Sequence, residues 1–92
     1  MAYYVYILAS RPNGAIYVGV TNELSRRIDQ HKNGEASAHT RKYNIFRLVY
    51  FETFDHIDDA ITCEKRLKKW RRTWKDDLIE KHNPNWDELT PP

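Results

Sequence analysis

A few side chains stand out for the chemistry that their types and spacing allow, and Glu64 is the sharpest of them. Between Ile57 and Trp74 the apolar positions Ile57, Ala60, Ile61, Leu67, Trp70 and Trp74 form a helical stripe, and Glu64 stands where an aliphatic residue should complete it. An unpaired carboxylate in such a place costs roughly several kcal/mol, so a partner is expected. A core arginine such as Arg27 would serve structurally; a divalent cation, which seeks carboxylate oxygen, would serve chemically. Arg27 and His31 are four residues apart, hence neighbours on one helix face. An arginine there can grip a phosphate with two hydrogen bonds, and a histidine can exchange a proton near neutral pH. The plainer reading is an amphipathic helix with both side chains at the edge of the core.

Two tyrosines complete the set. A turn centred on Pro12-Asn13 pairs residue 8 with 17 and residue 6 with 19. Tyr4, Tyr6 and Leu8 then share a sheet face with Tyr17, Gly19 and Thr21, while Val5, Ile7, Ile16, Val18 and Val20 line an aliphatic opposite face. Gly19, opposite Tyr6, marks a bulge or a close approach of backbone or ligand. Two tyrosines paired across strands with their hydroxyls in water is the structural alternative. After Glu64 comes an acid-free basic run: Lys65, Arg66, Lys68, Lys69, Arg71, Arg72 and Lys75. Such a run is ordinarily a solvated helix face, and it also suits contact with a phosphate backbone.

The elements that must position these groups follow from local pattern. Tyr3 to Leu8 and Ala15 to Thr21 read as strands joined by Arg11-Pro-Asn-Gly14, and Phe46 to Phe54 as a third strand. Leu24 to Asn33 reads as a helix capped by Thr21 or Asn22 and ended at Gly34. Glu35 to Asn44 is polar and aperiodic, which predicts an exposed loop. A long helix is expected from about Ile57 to Trp74, opened by acids at its positive end, then a shorter one from Lys75 to Lys81 stopped before Pro84. The predicted order is β-β-α-β-α-α, an α+β fold with a small three-stranded antiparallel sheet flanked by helices. One domain fills residues 1–92, with its core over about 3–86 and a short tail over 87–92; the end of the chain from Asn85 to Pro92 packs through Trp86 and Leu89.

Composition narrows the classes. Forty per cent hydrophobic and 30% charged residues, with three Trp, six Tyr and three Phe, suit a globular domain rather than a disordered tail. The longest apolar run, Tyr3 to Ala9, is too short to cross a bilayer and lacks the basic start of a secretory signal. Cys63 is the only cysteine, which excludes an internal disulfide and a multi-thiolate zinc site and points to a reducing cytoplasm. No Gly-rich phosphate loop, Ser-His-Asp signature or His-Glu-x-x-His is present.

Taken in order, these residues resemble the GIY-YIG nuclease family, also called the URI domain. Its first motif stands here as Tyr4-Val-Tyr6 and its second as Tyr17-Val-Gly19. Leu24 to His31 is similar to the family's first helix, with its Arg and a following His, and Ala60 to Trp70 to the helix carrying the metal-binding Glu. The resemblance runs from about Tyr3 to Trp86 and is closest to the short stand-alone bacterial members. Tyr4 replaces the Gly of the first motif. The family's late Asn corresponds to Asn83 or Asn85, a choice the sequence leaves open.

The resemblance implies metal-assisted hydrolysis of a phosphodiester in nucleic acid, structured or damaged DNA being the expected substrate and DNA the default over RNA. Glu64 is then the sole protein ligand to one Mg²⁺ or Mn²⁺, and Arg27 stabilises charge on the scissile phosphate. Tyr17 or Tyr6 orients or deprotonates the attacking water, with help from a cation or from His31, since a phenol ionises near 10. Gly19 and Lys65, Lys68 and Lys69 are the expected substrate contacts, with DNA repair the expected setting. A chain this short leaves selectivity to nucleic-acid structure or to a separate protein. The alternatives on the same fold are a non-catalytic nucleic-acid-binding module and a protein-interaction domain using Trp70, Trp74 and Trp86.

Overall fold

A computed structural model describes all 92 residues. The chain forms β1 (Tyr3–Ala9), β2 (Ile16–Thr21), α1 (Leu24–Lys32), α2 (Ala38–Lys42), β3 (Arg47–Phe54), α3 (Ile57–Lys69) and α4 (Arg72–His82). The three strands make one antiparallel sheet in the order β2-β1-β3. Asn13 adopts φ 59° in the β1–β2 connection, as an Asn-Gly turn allows, and the hairpin register places Tyr6 opposite Gly19 and Leu8 opposite Tyr17. That is the pairing expected from the turn and the two-residue period.

Because side chains alternate along each strand, β1 serves two cores at once. Val5, Ile7 and Ala9 join Val18, Val49 and Tyr50 beneath α3 and α4, which contribute Ala60, Cys63, Leu67 and Ile79, with Trp86 closing the layer. Tyr6 and Leu8 face the other way and pack with Leu48 and Ile45 against Leu24 and Ile28 of α1. The sheet is therefore sandwiched, as the α+β expectation requires. Trp86 is 1% exposed, and Leu89 runs back along the sheet, its amide donating to the Leu48 carbonyl at 2.8 Å.

Three local expectations need correction. The stretch from Glu35 to Asn44 is not a bare loop: Ala38–Lys42 forms α2, with the Ser37 hydroxyl accepting from the Thr40 amide. Five residues are too few to show a helical period, and only Thr40 among them is buried. The long helix does not continue to Trp74. Trp70 and Arg71 take extended conformations (ψ 146° and 155°), so α3 ends and α4 begins at Arg72, three residues ahead of its predicted start. No Gly or Pro marks this break; it lets Trp70 pack on the core while α4 turns to bury Ile79. Finally, α1 is preceded by Glu23 as N-cap residue rather than Thr21 or Asn22, although Thr21 Oγ1 accepts the Glu23 amide hydrogen at 3.1 Å.

Candidate active site

The face that α3 buries puts Glu64 off the centre of the stripe. The buried line of the helix is Ala60, Cys63 and Leu67, whereas Ile57 and Trp74 are exposed. Cys63 fills the centre that the sequence pattern gave to Glu64. Glu64, one residue further and about 100° around, lies on the flank of the buried line with its side chain 14% exposed. Its partner is neither core nor arginine: Lys68, one turn on, approaches Glu64 Oε2 to 2.8 Å. The carboxylate thus already holds a cation, half exposed and on a flexible stem.

Arg27, on α1, has no carboxylate partner. The residue is half-buried and borders a polar cleft with Thr21, Asn22, Glu23, Arg26 and Gln30. Neighbouring Arg26 is the one that pairs with Glu23, at 2.9 Å. An unpaired, partly buried arginine is suited to take an anion such as a phosphate.

Between these two charges lie the tyrosines and His31. Tyr6 is 2% exposed and His31 1%, and the Tyr6 hydroxyl meets His31 Nε2 at 3.0 Å. Tyr17, only half-buried, leans on both rings, with centroids 6.4 Å from Tyr6 and 5.3 Å from His31. Its hydroxyl has no hydrogen-bond partner in the protein. Burial, the neighbouring Tyr17 and the Glu64 charge push the Tyr6 phenol well above the ordinary tyrosine range, against a lowering by Arg27. Arg27 and Glu64 therefore act electrostatically on one side chain, although they come from helices on opposite faces of the sheet.

His31 is pushed down to about 4 by burial and by the Arg27 charge. At neutral pH it is a neutral hydrogen-bonding group rather than the proton exchanger that its ordinary pKa suggests. Gly19 also acquires a physical reason. A Cβ there would fall within 2.9 Å of Tyr6 Cε1 and closer still to Cζ and the hydroxyl, so the missing side chain makes room for the Tyr6 ring.

The basic residues do not form one patch with the site. Lys68 is paired to Glu64, while Lys65 and Lys69 line a separate cleft with Thr62, Arg66 and Trp70. Trp74 is 49% exposed, so the three tryptophans are not one buried cluster; Trp70 and Trp74 stack edge to face at 5.9 Å and Trp86 lies in the core. Of the two late asparagines, Asn83 is 6% exposed, and its amide is consumed by the backbone at Val49 and Asp87. Sequence reasoning missed Thr40 altogether. It is fully buried and hydrogen-bonds His31 Nδ1 at 3.1 Å, in a segment whose polar composition signalled only exposure.

The donor set bears on a metal. No group of three or more His, Cys, Asp or Glu side chains converges anywhere in the molecule. A tightly resident ion does not fit. A hydrated divalent ion held by Glu64 and by phosphate oxygens does, because one carboxylate suits an ion that keeps most of its water shell, and an ammonium already occupies that carboxylate.

The sandwich carries two tyrosines, an unpaired arginine and a flank glutamate, and its class follows from comparison with known proteins. Residues 2–77 match the GIY-YIG catalytic domain, and the chain belongs to that family. Among its relatives, a UPF0213 protein of Clostridium perfringens is 41% identical over 76 residues, covering 83% of this chain and 81% of the relative. One from Haloquadratum walsbyi is 35% identical over 78 residues, covering 85% and 86%. The solution NMR structure of the UPF0213 protein from Bacillus halodurans superposes with a TM-score of 0.60 at 32% identity, covering 98% of this chain and 95% of that one. No helix is long and apolar enough to cross a membrane.

Proposed function

We propose that the protein is a divalent-metal-dependent endonuclease that hydrolyses phosphodiester bonds in structured or damaged DNA. The observation that carries this reading is the arrangement of two charges about one buried phenol: an arginine with no partner and a carboxylate held by a displaceable lysine. Arg27 binds the scissile phosphate and stabilises the charge that grows on its non-bridging oxygens. Glu64 would hold the Mg²⁺ or Mn²⁺ in place of Lys68, and the ion would supply Lewis-acid stabilisation of the phosphate and leaving oxygen. The hydroxyl of Tyr6 is engaged by His31, and burial makes its phenol hard to ionise. Tyr17, half-exposed and with a free hydroxyl, is therefore the tyrosine we assign to the attacking water. Selectivity falls to DNA shape or to a separate protein, and the single free thiol, Cys63, suits the cytoplasm.

The test is cleavage of flapped, branched and plain duplex DNA with Mn²⁺, with Mg²⁺ and with chelator. Wild type should cut only with metal, and Glu64→Gln, which keeps the shape and removes the ligand, should lose about a hundredfold or more in rate. Cleavage that survives in Glu64→Gln sinks the mechanism. Metal-independent binding without cleavage by wild type would support the non-catalytic nucleic-acid module instead.

A further inference from the structure

The buried chain of groups behind Tyr6 has a definite direction, set by counting its protons. Three hydrogens must be placed: those of the Tyr6 hydroxyl, the neutral His31 ring and the Thr40 hydroxyl. Three contacts receive them. Tyr6 Oη meets His31 Nε2 at 3.0 Å, His31 Nδ1 meets Thr40 Oγ1 at 3.1 Å, and Thr40 Oγ1 meets the Ser37 carbonyl oxygen at 3.1 Å. A carbonyl only accepts, so the Thr40 hydroxyl donates to Ser37 and receives from Nδ1–H. Nε2 is then bare and accepts from Tyr6. The reverse arrangement, with Thr40 donating to Nδ1 and Nε2–H donating to Tyr6, leaves the tyrosine proton with no acceptor among its protein contacts and the Ser37 carbonyl without its hydroxyl donor. Every buried side-chain polar atom in the molecule has a partner, which the first arrangement respects.

We propose that Thr40, carried by the short helix α2, is a positioning residue that fixes His31 in the Nδ1–H tautomer and so makes Nε2 the acceptor that commits the Tyr6 proton inward. Tyr6 is then left with only lone pairs to offer on its other side, where Tyr17 leans on its ring. A group approaching from there must donate to Tyr6, which orients the Tyr17 hydroxyl or the attacking water. The tautomer assignment stands on this geometry alone; its effect on cleavage rests on the nuclease reading above. α2 thereby gains a role, since its N-cap Ser37 supplies the last acceptor and its only buried residue supplies the hydroxyl.

The experiment is long-range ¹H–¹⁵N correlation NMR of the histidine-labelled full chain near pH 7, without metal or DNA, followed by cleavage kinetics on the best DNA substrate. In wild type His31 should show a protonated Nδ1 and a bare Nε2. Tyr6→Phe should keep that pattern, because Thr40 and not Tyr6 sets it. Thr40→Ser, which retains the hydroxyl, should keep it and keep near-wild-type kcat. Thr40→Val, similar in shape, should shift the ring toward the Nε2–H form and lower kcat about tenfold with little change in KM. An Nε2–H tautomer in wild type overturns the proposal, as does a tautomer that changes in Tyr6→Phe but not in Thr40→Val. If Thr40→Val does not fold, the wild-type and Tyr6→Phe spectra still decide. A wild type that cuts no DNA refutes the nuclease reading and leaves the tautomer result to be judged by NMR alone.

Discussion

Asn83 separates a structural asparagine from a catalytic one, and replacing it with alanine gives numbers to check. Its Nδ2 donates to the Val49 carbonyl at 3.0 Å and the Asp87 carbonyl at 2.8 Å, and its Oδ1 accepts from the Asp87 amide at 3.1 Å. These bonds tie the end of α4 to β3 and fold the tail so that Trp86 enters the core. At about 0.5–1.5 kcal/mol net for each bond, Asn83→Ala should cost roughly 2–4 kcal/mol. For a domain of this size each kcal/mol moves the melting temperature by about 4–8 °C, so a fall on the order of 10–25 °C is expected. Thermal and urea unfolding would measure it. Cleavage at a temperature where the variant remains folded should stay within about threefold of wild type. A variant that melts like wild type but no longer cuts DNA would show that Asn83 works in the site, and the structural account would be wrong.

Other expectations follow from the site. Lys68→Ala removes the cation that competes for Glu64; a part-exposed i,i+4 pair is worth about 0.3–1 kcal/mol, so half-maximal cleavage should need about two- to fivefold less Mn²⁺. An unchanged metal requirement counts against Glu64 as the ligand. Gly19→Ala drives a Cβ into the Tyr6 ring and should cost about 1–3 kcal/mol in urea unfolding while breaking the Tyr6–His31 bond; a neutral result would contradict the packing. His31 has a folded-state pKa of about 4 against 6.5 for the free side chain, so between those values the unfolded chain binds the extra proton. Stability from this group is thus complete above pH 6.5 and is lost as pH falls, about 2 kcal/mol of it between pH 7 and 5. Chemical denaturation at both pH values should show that loss in wild type and its absence in His31→Asn.

What the sequence could convey depended on the range of each interaction. Tyr6 opposite Gly19 was readable because strand alternation and an Asn-Gly turn are local rules, and Asn13 obeys them. Arg27 beside His31 followed from helix spacing in the same way. The end of α3 at Trp70 was not readable, since neither Gly nor Pro signals it and only the packing of Trp70 and Ile79 explains it. Glu64 looks central to an apolar stripe only while Ile57 belongs to it; Ile57 is exposed and Cys63 holds the centre. The bonds of Thr40 to His31 and of Asn83 to Val49 join residues 9 and 34 positions apart, to which composition and periodicity are blind.

The sheet order β2-β1-β3 puts the earliest of the three strands in the middle, and this sets a timetable. The β1–β2 hairpin, with Tyr6 already seated over Gly19, needs only the first 21 residues. The free edge of β1 waits for β3, which pairs Tyr3 with Phe54, and so stays open until Phe54 is made. His31 and Thr40 come out during that wait, and Glu64 only after it. The chain therefore delivers the two tyrosines well before the carboxylate, and brings the three together only as the last helices close over the sheet.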